Sequence, residues 1–360
     1  MKRAVLSVFF IFFFFLTVSL YAQQRTEFLL EKNWRFCKGD FPQAISNDFN
    51  DKNWEEVRIP HDWAIYGPFD RKHDLQEVAI IQNGEKVPTV KTGRTGGLPY
   101  MGVGWYRTFF DVKNFQSEKQ IITLKFDGAM SEARVYVNGK EVCFWPYGYN
   151  AFHCDVTEVL NTDGKNNLLA VRLENKPESS RWYPGAGLYR NVHVIQTNKI
   201  HVPVWGTYIT TPFVSEEYAS VRLRTEIAGD HKDIRIITEI RDADNKVVAF
   251  KDNRQQLNHG RPFEQNFIVE DPRLWSPETP YLYTAISSIF VDSTQTDEYT
   301  TRFGIRDIKF VADKGFFLNG QQRKFQGVCN HHDLGPLGTA INESALRHQL
   351  ILLKEMGCDA

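Results

Sequence analysis

The sequence predicts a mostly β protein in which two antiparallel sandwiches precede a single strand–loop–helix unit. Two observations support this fold class. Short apolar strands separated by turn signals, with no helical pattern between them, continue from residue 23 to about residue 302. From Phe303 onward the pattern changes to a short strand, a polar loop and a segment whose apolar residues recur at helical spacing.

The first 22 residues have the pattern of a secretory signal peptide. Lys2 and Arg3 precede an apolar run over residues 4–20, and the chain becomes polar after Ala22. A charged start, an apolar middle and a small-residue exit are the three parts of such a signal. A retained membrane anchor is the alternative, although the run is near the short end for crossing a bilayer. We therefore expect a secreted or periplasmic protein that is not attached to a membrane after cleavage.

Residues 23–197 predict the first sandwich. Strand candidates include residues 105–112, 121–126 and 133–137, and the last of these leads into Asn138-Gly139. This dipeptide tolerates positive φ and closes tight hairpins. Strands at this spacing without intervening helices indicate an antiparallel sandwich or a jelly roll.

Residues 198–302 predict a second sandwich. Residues 221–227 and 234–240 alternate polar and apolar side chains, as strands with one solvated face do. About seven strand candidates in roughly 100 residues suit an immunoglobulin-like sandwich.

Residues 303–360 predict one βα unit. A short apolar strand over Lys324–Val328 precedes a polar loop, and a helix follows with Asn342 as its N-cap. Leu346, Leu350 and Leu353 form its apolar face, and Gly357 is expected to end it. One such unit cannot close a parallel sheet, so we expect an incomplete domain here.

Composition and charge narrow the classes of function. Apolar residues make up 42% of the chain and charged residues 24%, which is typical of a globular protein. The net charge is −1 and there is no basic block, so we expect no nucleic-acid partner. The five cysteines lack metal-type spacing, and Cys143 and Cys154 are the nearest pair for at most one disulfide. No phosphate loop, dinucleotide fingerprint, nucleophile elbow or zinc signature occurs in the sequence. We therefore expect no metal and no cofactor within this chain.

The polar loop Gly327–Gly335 is the candidate site. If Lys324–Val328 is a first barrel strand, this loop lies on the face where barrel enzymes hold substrates. Two histidines and an aspartate there could bind a metal, act as acid and base, or hydrogen-bond a polyol. We predict that His331 contacts the substrate, and that His332 and Asp333 stabilise the loop by hydrogen bonds. Neighbouring histidines on extended backbone diverge, which makes joint chelation of a metal awkward.

Glycoside hydrolysis needs two carboxyl groups that flank the scissile bond. No such pair stands out among the 44 Asp and Glu residues, which are scattered along exposed strand positions and turns. The high aromatic content, 14%, fits either sandwich cores or stacking on sugar rings.

An ordered set of motifs resembles glycoside hydrolase family 2, the family of β-galactosidases, β-glucuronidases and β-mannosidases. The motifs cover nearly all of the chain after residue 22. They are Trp54–Trp63, Gly96–Tyr100, Gly104–Phe109, Asp127–Gly128, Ala133–Gly139, Tyr147–Tyr149, Arg181–Val192, Leu274–Trp275, Pro280–Tyr283, Phe303–Arg306, Phe316–Gly320 and Gly327–Asp333.

The resemblance implies a jelly-roll sugar-binding domain over residues 23–197, an immunoglobulin-like domain over 198–302 and the start of a catalytic (β/α)8 barrel over 303–360. It also implies retaining hydrolysis, with the acid/base and nucleophilic glutamates after Ala360. The chain as given is therefore expected to be an inactive fragment. A divalent cation in the complete enzyme is left open.

Two residues in this sequence match substrate-binding positions of the family. His331 matches a histidine of the first barrel loop that contacts the sugar. Arg181 stands where better-known members have an aspartate that reaches into the sugar site. A guanidinium cannot accept hydrogen bonds from sugar hydroxyls but could pair with an anionic substituent. A surface position or packing between domains, without a substrate contact, is the alternative for Arg181.

The predicted activity is removal of terminal non-reducing β-D-galactose from oligo- or polysaccharides by a retaining double displacement. β-Glucuronides or β-mannosides are the alternative substrates. A non-catalytic carbohydrate-binding module and a purely structural sandwich protein are the alternatives from other functional classes.

Overall fold

The computed structural model describes residues 25–95, 99–100, 102–230, 233–256 and 261–359, without the side chains of residues 255 and 256. The predicted signal peptide, residues 1–22, lies outside this part of the chain. No helix within the described residues is long and apolar enough to cross a bilayer.

The first sandwich consists of a six-stranded and a four-stranded antiparallel sheet. Their strand orders are β3-β2-β6-β11-β8-β9 and β1-β12-β7-β10, and β4 and β5 form a separate ribbon. The strands are β1 (Thr26–Leu29), β2 (Trp34–Lys38), β3 (Glu55–Val57), β4 (Gln76–Val78), β5 (Thr89–Lys91), β6 (Gly102–Phe110), β7 (Gln120–Phe126), β8 (Ala133–Val137), β9 (Lys140–Trp145), β10 (Phe152–Asp155), β11 (Asn167–Asn175) and β12 (Val192–Asn198). Four 3-10 helices lie between them, at Pro42–Ile45, Ala64–Tyr66, Ile81–Asn83 and Thr157–Val159.

Alternation along the strands builds the core between these two sheets. In β7, Ile122, Leu124 and Phe126 are buried against the facing sheet, while the residues between them are partly exposed on the outer side. Asn138 and Gly139 have φ of 48° and 81°, so the predicted hairpin between β8 and β9 is present.

A disulfide joins the two sheets at one side of the sandwich. Cys143 in β9 and Cys154 in β10 are bonded, with their Cα atoms 6.0 Å apart. Each of these strands is the last of its sheet. The bridge is the pair that the sequence singled out.

The second sandwich has seven strands in sheets of three and four. Their orders, β13-β14-β17 and β16-β15-β18-β19, agree with an immunoglobulin-like arrangement. The strands are β13 (Thr207–Val214), β14 (Tyr218–Thr225), β15 (Asp233–Arg241), β16 (Val247–Gln256), β17 (Phe263–Glu270), β18 (Tyr283–Val291) and β19 (Thr294–Phe303). The predicted mostly β fold with two successive sandwiches is confirmed.

The two sandwiches are connected by a buried ion pair. The Arg25 guanidinium donates to both carboxylate oxygens of Asp297, at 3.1 and 2.8 Å, and lies over the ring of Tyr299. The Asp297 side chain is fully buried and also accepts the Val202 N–H at 2.8 Å. The first described residue of the chain therefore binds the last strand of the second sandwich.

The final segment contains a small sheet and one helix. Its elements are β20 (Ile308–Val311), β21 (Gly315–Leu318), β22 (Gln321–Gln322), a 3-10 helix (Gly335–Leu337) and α1 (Glu343–Glu355). Asn342 caps α1 by accepting the Ala345 N–H, and Gly357, at φ 93°, ends it. Both helix limits agree with the sequence prediction.

The predicted strand Lys324–Val328 is wrong for the described structure. This segment forms no strand ladder, and a single backbone bond, from Asp359 N to Gln326 O at 2.7 Å, connects it to the end of the chain. An apolar run becomes a strand only when neighbouring strands pair with its backbone groups. The (β/α)8 barrel therefore stays a prediction.

Candidate carbohydrate-facing site

An aromatic surface forms where the loop before β10, the segment after β11 and the polar loop meet. The Trp182 indole N–H donates to the Tyr149 hydroxyl at 3.0 Å, and its ring lies 5.6 Å from that of His331. Tyr147 packs against Tyr149 at 5.4 Å and is itself exposed. Trp182 is 37% exposed, so part of its ring is available to a ligand.

The two predicted substrate-binding residues differ in their relation to Trp182. His331 is exposed and contacts the Trp182 ring edge to face. Arg181 precedes Trp182 in the chain, is exposed, and makes no hydrogen bond or ion pair with any residue that the structure describes. The fold thus brings His331 to the aromatic surface and leaves the Arg181 guanidinium in solvent.

The carboxylate of Asp62 joins the segment after β11 to Thr339, which follows the polar loop. It accepts hydrogen bonds from the N–H groups of Ala64, Ala186 and Thr339, at 3.0, 2.9 and 2.8 Å. The hydroxyls of Tyr183 and Thr339 also donate to it, at 2.8 and 3.0 Å. Asp62 is only 1% exposed, so these bonds fix Thr339, just after the polar loop, against the first sandwich in a dry environment.

His332 anchors the polar loop from the other side. Its Nε2 lies 3.0 Å from the Pro184 carbonyl oxygen, and its ring packs against Tyr149 and Tyr189. Burial lowers the pKa of His332, so the ring is neutral near pH 7 and Nε2 donates as its N–H tautomer. Asp333 accepts the Gly335 N–H at 3.1 Å. Both residues stabilise the loop, as the sequence predicted.

The pKa values of two tyrosines at this surface are raised by their surroundings. Burial and the neighbouring Asp62 raise the pKa of Tyr183 far above its usual range, and burial raises the pKa of Tyr149. Both phenols therefore stay protonated. The carboxylates of Asp62 and Asp333 accept backbone N–H groups, a structural role. Within the described residues, no three His, Cys, Asp or Glu side chains come together as metal ligands.

Sequence reasoning missed the roles of Trp182, Tyr149 and Asp62. All three lie in motifs that resemble the family, but no role could be given to them. The position of Asp62 beside Trp63, both of them buried, was one available signal. A buried polar residue needs hydrogen-bond partners. The identity of those partners depends on contacts between residues up to 277 positions apart.

Comparisons with known proteins agree with this architecture. A profile described as "Glycosyl hydrolases family 2, sugar binding domain" matches residues 29–198, and one described as "Glycosyl hydrolases family 2" matches residues 201–306. Together they cover more than half of the chain.

Related proteins match nearly the full length of this chain. The β-galactosidase BoGH2A of Bacteroides ovatus is 38% identical over 343 residues, which is 94% of this chain and 38% of that protein. A putative β-glucuronidase of Formosa agariphila is 34% identical over 94% of this chain and 30% of its own length. The chain thus spans about a third of the length of these curated relatives.

Solved structures give the same result. A glycosyl hydrolase family 2 member from Bacteroides cellulosilyticus superimposes with a TM-score of 0.82 at 32% identity, over 92% of this chain and 42% of that one. A β-glucuronidase of Bacteroides uniformis has a TM-score of 0.78 at 29% identity, over 93% and 39%. The sandwiches, their order and the sequence motifs agree, and the chain belongs to glycoside hydrolase family 2.

Proposed function

We propose that this chain is the substrate-facing N-terminal portion of an exported retaining glycoside hydrolase that removes terminal β-D-galactose from oligo- or polysaccharides. The observation that carries the proposal is the edge-to-face contact between Trp182 and His331. An indole presents a flat apolar surface to a sugar ring, and an adjacent imidazole can hydrogen-bond a hydroxyl. The similarity to BoGH2A, a β-galactosidase, supports galactose as the sugar.

The chemistry itself is assigned to groups outside this chain. Retaining hydrolysis requires two carboxyl groups about 5–5.5 Å apart, one as nucleophile and one as acid and base. We place both after Ala360, so the chain as given should bind glycosides without hydrolysing them. No cofactor within these residues is part of the proposal, and export rests on the signal-peptide pattern of residues 1–22.

A β-glucuronide is the second candidate substrate. Arg181 presents an exposed cation with no anionic partner among the described residues, beside the aromatic surface. A guanidinium pairs well with a carboxylate such as that of a glucuronic acid residue. The similarity to a putative β-glucuronidase also supports this alternative.

The test compares hydrolysis of p-nitrophenyl β-D-galactoside, β-D-glucuronide and β-D-mannoside by the product of the complete reading frame and by residues 23–360 alone. We expect the complete product to prefer the galactoside and the shorter chain to have no turnover. His331→Ala should lower kcat/KM for the galactoside about 100-fold, as loss of one hydrogen bond to the transition state does. His348→Ala, at an exposed position of α1, is the matched control.

The alternatives give different results in the same assay. Preference for the glucuronide, with about a tenfold loss in Arg181→Ala and no change for the galactoside, would favour the second substrate. Turnover by residues 23–360 would contradict the assignment of the catalytic carboxylates. Binding of galactosides without turnover by the complete product would indicate a carbohydrate-binding module.

A further inference from the structure

A cleft lies between the first sandwich and the segment that leads into the second. It encloses about 670 Å³, and its floor is the outer face of the four-stranded sheet β1-β12-β7-β10. Its lining is mostly apolar, and the polar residues along it include Thr123, His153, Asp155, Thr197, Lys199 and His201. Hydroxyl, imidazole and carboxylate groups are the side chains that recognise sugar hydroxyls.

The floor is organised by strand register. Asp155 of β10 lies opposite Thr123 of β7, and His153 lies opposite Lys125. These residues face outward because their neighbours Leu124 and Phe126 are turned into the core. The strands therefore hold the polar groups of the cleft at fixed spacings. This favours binding, because little conformational entropy is lost when a ligand binds to groups that are already fixed.

Trp205 lies at the edge of this cleft in an unusual conformation. Its φ is 60°, a left-handed value that is a genuine outlier for a bulky residue, yet its side chain is 56% exposed. Its ring lies 5.4 Å from that of His153. Its N–H donates to the Tyr299 hydroxyl at 3.2 Å, and Gly206 N donates to Pro203 O at 2.9 Å, which fixes the turn.

The backbone strain at Trp205 is not offset by burial of its side chain. A left-handed backbone conformation is strained for a non-glycine residue and persists where the surroundings enforce it, often at binding sites. A tryptophan that filled the interface between the domains would be buried, but this indole is mostly in solvent beside a cleft with polar groups. An exposed, rigidly held ring is what stacking on a flat ligand requires.

We propose that the cleft beside Trp205 is a second carbohydrate-binding site, in which the indole stacks on a pyranose ring and the floor residues hydrogen-bond its hydroxyls. It adjoins the Thr197 end of β12, whereas the Trp182–His331 surface adjoins the Val192 end. A strand of this length spans roughly 20 Å. The ligand class follows from the sugar-binding domain, and the site does not depend on hydrolysis.

The experiment measures binding of β-1,4-galactotetraose to the chain by isothermal titration calorimetry. Trp205→Gly is the decisive variant, because glycine accepts φ of 60° without strain and the backbone should keep its conformation without the indole. Tyr208→Ala, at another exposed aromatic residue nearby in sequence, is the matched control, and Trp182→Ala reports on the other surface. Circular dichroism and thermal unfolding verify that each variant is folded.

We expect Trp205→Gly to weaken binding at least tenfold for one class of site, with Tyr208→Ala unchanged. In Trp182→Ala that class of site should remain. Binding that survives Trp205→Gly but is lost in Trp182→Ala would overturn this inference and leave the proposed function intact. No binding by the unmodified chain would overturn the inference as well. If Trp205→Gly fails to fold, His153→Ala must give the same loss of affinity, and unchanged affinity would refute the proposal.

Discussion

Replacement of Asp62 by alanine tests how the polar loop is attached to the first sandwich. The carboxylate is 1% exposed and accepts bonds from Ala64, Tyr183, Ala186 and, twice, from Thr339. The Asp62→Ala variant leaves these donors without their acceptor in a dry environment. Hydrogen bonds to charged groups contribute roughly 1.5–3 kcal/mol each but are not additive, and removal of one member of a buried charged network costs about 3–5 kcal/mol. We expect a loss of about 4 kcal/mol.

The assay combines urea unfolding, followed by tryptophan fluorescence, with hydrogen exchange of peptides that cover residues 334–341. Asp62→Ala should speed exchange at Thr339, because its N–H loses its acceptor. Asp333→Ala is the matched control, since that carboxylate accepts one backbone N–H, from Gly335, and should cost at most about 1 kcal/mol. Equal stability of the two variants, or unchanged exchange at Thr339, would refute the reasoning.

Three further predictions follow from buried groups. Burial lowers the pKa of His61 in the folded protein to about 4, whereas an unfolded histidine has a pKa of about 6.5. Between these two pH values the unfolded chain binds more protons than the folded one. The free energy of unfolding should therefore fall by up to roughly 3 kcal/mol as pH drops from about 6.5 to about 4. His61→Gln should remove this part of the dependence in urea titrations at several pH values, and an identical pH profile would contradict it. Arg25→Met leaves the fully buried Asp297 carboxylate without its cation and should lower the free energy of unfolding by about 3–5 kcal/mol. Adding Asp297→Asn should restore part of this loss. Equal stability of the Arg25→Met variant and the unmodified chain in calorimetry would exclude a role for the pair. Loss of the Cys143–Cys154 bridge in the double alanine variant should cost about 3 kcal/mol, and reductant should lower the melting temperature of the unmodified chain alone.

Local sequence signals predicted much of the fold because their causes are local. Asn138 and Gly139 adopt the positive φ that their side chains permit, and Asn342 and Gly357 limit α1 as capping chemistry requires. Seven strands in the second sandwich follow from the alternation of polar and apolar residues. In each case the sequence signal spans a few residues.

The candidate site was less predictable because its contacts are distant in sequence. The motif resemblance placed His331 in a substrate-contacting loop, but its partner Trp182 lies on a different element. Asp62 and Thr339 are 277 positions apart, and no pattern within either segment identifies the other. For Lys324–Val328 a local pattern was present but misleading. This apolar segment forms no strand, because no neighbouring strands pair with it.

The bridge between Cys143 and Cys154 has a consequence for self-association. Strands β9 and β10 end their sheets, and an end strand offers free N–H and C=O groups to which another polypeptide can add. The bond between Cys143 and Cys154 keeps β9 and β10 from separating, so we expect it to oppose exchange of either strand with its copy in a neighbouring molecule. Reduction of the bridge should therefore make strand exchange at this edge of the sandwich easier.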